Sequence, residues 1–169
     1  HGEKSVALKS VEDFMSTIGQ PVENAKLADA ELVFVGYGIE APEYKWDDYK
    51  DVDLTGKVLL MMNNDPSSDP ELFEGRRRLY YGRWDYKYEM AARKGAAGAI
   101  IIHTTPSAGY PWQVIQTSWS GEEFELRGGE GRRMELKGWV TETGIRDVVR
   151  MSGFDLDELR QKAESRDFQ

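Results

Sequence analysis

The sequence predicts an α+β fold, on three observations. Short apolar runs read as strands at residues 31–39, 57–62, 99–103 and 134–140. They are separated by long irregular stretches and by only a few helical patterns. At 169 residues, with 40% hydrophobic content and five Trp, eight Tyr and six Phe, the chain can bury one sizeable core.

The elements follow in order. Residues 6–8 read as a short strand. Ser10-Val11-Glu12-Asp13 looks like a capping box, with Val11, Phe14, Met15 and Ile18 at helical spacing, and Gly19-Gln20-Pro21 ends that helix. Next comes "ELVFVGYGIEAPEYKWDDY", residues 31–49, where an apolar run leads into Gly36, Gly38 and Ala41 at the spacing of a dinucleotide-binding loop. Such a loop must open a helix so that its N-terminus meets the pyrophosphate. Here Ala41 precedes Pro42 and no apolar helical period follows, so the glycines are expected to form a bulge or close approach inside a bent strand. Residues 40–55 form an acidic, aromatic loop, and Thr55-Gly56 turns into a buried strand.

Residues 63–83 ("NNDPSSDPELFEGRRRLYYGR") carry turn signals and no sustained period, and a connection of this length is long for a compact domain. Residues 84–94 read as a helix with Trp84, Tyr88, Ala91, Ala92 and Gly95 on one face and Trp84 in the core. Gly95 and Gly98 end it before the strand at 99–103. Residues 104–126 are again irregular and aromatic. Gly128-Gly129-Glu130-Gly131 is a turn before the strand at 134–140. Two helices close the chain, one over about 142–151 and one after Asp155, which pairs with Glu158 in a capping-box-like way.

Several chemistries are excluded by composition. A net charge of −8 disfavours nucleic acid as a partner. No apolar run approaches the roughly 20 residues of a membrane-spanning segment. There is no cysteine for a disulfide or a thiolate metal site. Residues 51–56 imitate half of a calcium loop, but its twelfth position is Met62, inside a strand. Asp47, Asp48, Asp51 and Asp53 are therefore expected to be solvated loop carboxylates. Catalytic zinc needs three or more converging ligands, and the two histidines are His1 and His103, the latter expected as a satisfied strand-end residue. No nucleophile elbow is present either, so no catalytic or metal set and no cofactor is expected in this chain.

What remains is a basic run, Arg76-Arg77-Arg78, beside Tyr80-Tyr81-Gly82-Arg83-Trp84, and further aromatics on irregular segments (Tyr44, Trp46, Trp112 and Trp119). Either these aromatics fold back over the sheet, or they form a surface for a partner, since interfaces favour Tyr, Trp and Arg. Tyr80, Tyr81, Arg83, Trp112 and Trp119 are the candidate substrate or interface residues.

Three long segments, "VFVGYGIEAPEYKWDDYKDVDLTGKVLLMMNNDP", "YYGRWDYKYEMAARKGAAGAIIIHTTP" and "GYPWQVIQTSW", resemble the protease-associated (PA) domain inserted in zinc aminopeptidases of the M28 peptidase family. The resemblance implies a curved or closed sheet of the swivelling β/β/α type flanked by helices. It implies that residues 1–29 lead from a parent peptidase domain, residues 30–163 form the PA domain, and residues 164–169 return to the peptidase. The family's zinc ligands and general base lie outside this insert and match nothing here, so zinc is expected in the parent's catalytic domain. The implied role is a non-catalytic lid or interaction module whose partners are the parent peptidase domain and its peptide substrate. The implied location is periplasmic, secreted or cell-envelope. A self-standing peptide- or glycan-binding module built on the loop aromatics is the alternative.

Overall fold

The computed structural model describes residues 4–20, 22–122 and 134–168. Five strands form one mixed sheet in the order β1-β7-β6-β5-β2. They are β1 (Phe14–Ile18), β2 (Leu32–Phe34), β5 (Val58–Met62), β6 (Gly98–His103) and β7 (Leu136–Thr141). β2, β5, β6 and β7 run parallel, and β1 pairs antiparallel with β7. β3 (Glu40–Ala41) and β4 (Trp46–Asp47) make a separate two-residue ladder. The helices are α1 (Trp84–Arg93), α2 (Thr105–Ala108), α3 (Trp112–Ser118), α4 (Glu142–Met151) and α5 (Leu156–Ala163).

Strand alternation assigns the two faces. Phe34, Leu60 and Ile100 stand in register, and Phe34 and Leu60 share an apolar groove with Val148 and Val149 of α4, Leu159 of α5 and Phe168. Met61, Ile101 and Trp139 are also in register and face the other way. On that side Trp139 meets Trp119 at 6.3 Å, and the Tyr88 hydroxyl of α1 donates to the Gly138 carbonyl at 2.7 Å. Helices thus cover both faces, and every residue of β5 is buried. The α+β mixture agrees with the expectation, but the sheet is open: β1 and β2 are its two edges and do not pair with each other.

The expected helix at residues 10–18 is instead a turn and a strand. Lys9 N–H donates to the Asp13 carboxylate at 2.9 Å, Val11 takes a positive φ of 72°, and the chain then extends along the open side of β7. Antiparallel pairing there outweighs a weak local helical pattern. Residues 6–8 form no strand. The strand expected over residues 31–39 stops at Phe34, and the glycines follow it as a turn rather than bending it from within. Gly38 has φ 65°, and a Cβ on it would lie 2.4 Å from the Met61 sulfur. Its carbonyl accepts from the buried Tyr49 hydroxyl at 2.9 Å. Those glycines serve a close approach, and no helix follows them.

Residues 104–119, expected to be irregular, hold α2 and α3. The strands at 58–62, 98–103 and 136–141 and the helix at 84–93 agree with the sequence reading within two residues. α4 and α5 begin where their caps imply: Thr141 Oγ1 accepts from Gly144 N–H at 3.0 Å, and Asp155 accepts from Asp157 and Glu158 N–H at 2.9 and 3.1 Å. The turn expected at residues 128–131 lies outside the described residues. Among the described residues no helix is long and apolar enough to cross a membrane.

Candidate functional site

The candidate residues gather around the first turn of α1, in two aromatic groups on either side of it. Residues 63–83 are ordered by their own hydrophobic contacts. Leu72 and Phe73 are buried, and Phe73 reaches its place through a positive φ of 49°. Its ring meets Tyr44 at 4.7 Å, Trp46 at 5.8 Å and Tyr81 at 5.8 Å. Tyr81 and Tyr80 each meet Tyr86 of α1 at 5.3 Å. The Tyr81 hydroxyl donates to Glu43, and the Tyr80 hydroxyl donates to Glu89 at 2.7 Å. Each carboxylate holds its phenol protonated, with both tyrosines pushed up to about 12.

The second group begins at Trp84, which meets Trp119 and Tyr88 at 6.1 Å each. Trp112 packs on His103 at 5.4 Å and donates its indole N–H to the Val11 carbonyl at 3.0 Å. Tyr81, Trp112 and Trp119 are thus partly buried against the core, while Tyr80 is 48% exposed and Trp84 is 43% exposed. The core position expected for Trp84 is a surface one, because Trp119 fills the space beneath it. Arg83 is exposed and pairs at 3.2 Å with Asp85, two residues along. Tyr80, Arg83 and Trp84 therefore form an open rim with a free cationic face and two aromatic rings. Folding back over the sheet describes Tyr44, Trp46, Trp112 and Trp119.

Beneath this rim lies a charge that the sequence reading missed. Lys87 is fully buried and donates to the carbonyls of Tyr37 at 2.5 Å and Tyr81 at 3.4 Å. Asp48 and Asp65, both buried, supply its electrostatic partners. Burial pushes the Lys87 ammonium down to about 7, and pushes the two carboxyls up to about 6. Asp48 is thus no solvated loop carboxylate: it sits under the β3–β4 loop and accepts from the Ile39 N–H at 2.9 Å. Lysine 87 was legible in principle. It falls three residues after Trp84 and four before Ala91, on the same helical stripe.

His103 is also buried, among Tyr110, Trp112 and Trp139. Its Nε2 has no hydrogen-bond partner among the described residues, so it is not the satisfied residue expected at that strand end. Burial holds it below the ordinary histidine value and keeps the ring neutral. Among the described residues no three His, Asp or Glu side chains converge as metal ligands.

No family model and no curated protein matches the chain. Among solved structures, an aminopeptidase from Aneurinibacillus sp. strain AM-1 is similar at 19% identity, with a TM-score of 0.37. The likeness covers 85% of this chain and 28% of that one, so the chain spans less than a third of the aminopeptidase's length.

Proposed function

We propose that this chain is a non-catalytic accessory domain of PA type, belonging to an exported zinc aminopeptidase whose catalytic residues lie in another domain. Its role in that reading is to lay a surface beside the catalytic cleft and shape which peptides enter. The zinc belongs to the peptidase domain, and the partners are that domain and the peptide substrate.

One observation carries the reading on the structural side: Tyr80, Arg83 and Trp84 are exposed together around the first turn of α1. A folded domain has no internal use for two open aromatic rings and a guanidinium there, whereas interface centres favour these three residue types. The motif resemblance supplies the identity of the partner. The self-standing aromatic binding module is disfavoured, because Tyr81, Trp112 and Trp119 spend their faces on their own core.

The test is activity of the protease-free chain with added zinc on amino-acyl anilide substrates. The reading expects no zinc-dependent turnover, and measurable turnover would overturn it. A reading frame continuing into a series of His, Asp and Glu zinc ligands is the second expectation.

A further inference from the structure

The C-terminal ends of the parallel strands open onto a cleft of about 640 Å³ that the rim at α1 does not use. In parallel sheets this is the end where loops converge and ligands bind. Its walls come from the segment that leaves β5, Asn64 to Ser67, and from Arg76 and Arg78 on the far side of the same loop. The loop can return this closely because residue 82 is glycine: a Cβ there would lie 2.8 Å from both Asn64 Oδ1 and Asp65 Oδ2.

The two arginines differ from their neighbour. Arg77 pairs with Glu74 at 3.2 Å. Arg78 is held by neutral acceptors alone, its Nε donating to Asn64 Oδ1 at 3.2 Å and its Nη2 to the Ser107 carbonyl at 2.6 Å. Those bonds aim the guanidinium while leaving Nη1 free and its charge without a carboxylate in contact. Arg76 has no hydrogen bond or ion pair among the described residues.

The acids that line the cleft are engaged elsewhere. Asp69 accepts from the Glu71 N–H at 2.9 Å, and Asp65 turns its buried carboxyl toward the field of Lys87. In a chain of net charge −8, two guanidinium groups left without counter-charge in one cleft are an uncompensated feature. A planar monoanion meets an arginine fork with two parallel hydrogen bonds. A dianion fits less well, because Asp65 and Asp69 stand on the same walls.

We propose that this cleft is a carboxylate-binding site, in which Arg78, oriented by Asn64 and Ser107, and the unpaired Arg76 together take the carboxylate of a small organic acid or peptide terminus. The assignment needs only this chain and stands whether or not the accessory reading does.

The experiment is titration of the isotope-labelled 169-residue chain, followed through the Arg78 Nε–H and Asn64 side-chain amide resonances. The probes are N-acetylglycine, acetate, inorganic phosphate and the uncharged N-acetylglycinamide. Saturable shifts at those resonances are expected with N-acetylglycine, with a Kd on the order of 1 mM. Acetate shifting them equally marks a site for any small acid, and weaker acetate marks one for peptide termini; both uphold a carboxylate site. Arg78→Gln is expected to weaken binding about tenfold, and Arg76→Gln by a smaller factor. Arg76 makes no contact that folding depends on, so its variant keeps the test readable should Arg78→Gln fail to fold. Absence of saturable shifts with N-acetylglycine, equal shifts with N-acetylglycinamide, tighter binding of phosphate, or indifference to both substitutions would overturn the assignment.

Discussion

Replacing Lys87 by methionine removes a buried ammonium while keeping the length of the side chain. In the folded protein this lysine titrates near about 7, against its ordinary value of 10.5. Burial is the leading cause, and Asp48 and Asp65 oppose it in part. A base whose folded value is lowered binds fewer protons folded than unfolded between the two values. Stability therefore rises with pH in that window and is insensitive to this group below it. For one such group the gain between about pH 7 and about pH 9 is about 2 kcal/mol. The two carboxyls act oppositely and elsewhere: raised from 3.8 to about 6, they weaken the fold as pH rises through that lower window. Urea unfolding followed by tryptophan fluorescence at both pH values measures the slope in the native chain and in Lys87→Met. The native chain should gain about 2 kcal/mol more than the variant over this interval. Equal slopes would refute the reasoning, since they would mean that Lys87 keeps its proton in the folded state. The comparison isolates the lysine, because tyrosines and surface lysines are common to both proteins.

Two further predictions concern the scaffold of the rim. Phe73→Ala empties a fully buried site between Tyr44, Trp46 and Tyr81 and should cost about 4 kcal/mol in urea unfolding. It should also speed amide exchange in residues 75–83, and unchanged exchange there would show that the loop is held by other contacts. Gly38→Ala forces a side chain into a backbone with φ 65° against Met61 and should lower stability by about 1–3 kcal/mol, read from the same unfolding midpoint.

The parts of the fold legible in the sequence were those whose patterns are self-contained. β5 and β6 are unbroken apolar runs between glycines, and α4 and α5 carry their own caps. The parts that were not legible depend on distant partners. Phe14 to Ile18 becomes a strand because β7 offers an unpaired side, something no local period records. Phe73 is buried only because a left-handed backbone turn points it inward. Of the candidate residues, Tyr80, Tyr81 and Arg83 announce themselves as interface types in a long loop. Which aromatics face out was hidden, since Trp84 and Trp119 compete for one place and the winner is set by α3. Lys87, Asp48 and Asp65 were read as ordinary charges, because their burial is a tertiary property of three separate segments.

The accessory reading stands or falls on the rim at the start of α1. In the intact enzyme, Tyr80→Ala and Trp84→Ala should together lower kcat/KM for peptide substrates about tenfold or more, as loss of interface hot spots does. The unfolding midpoint of the isolated 169-residue chain should barely change, because both rings are more than 40% exposed. An unaltered kcat/KM in a correctly folded double variant would contradict the account.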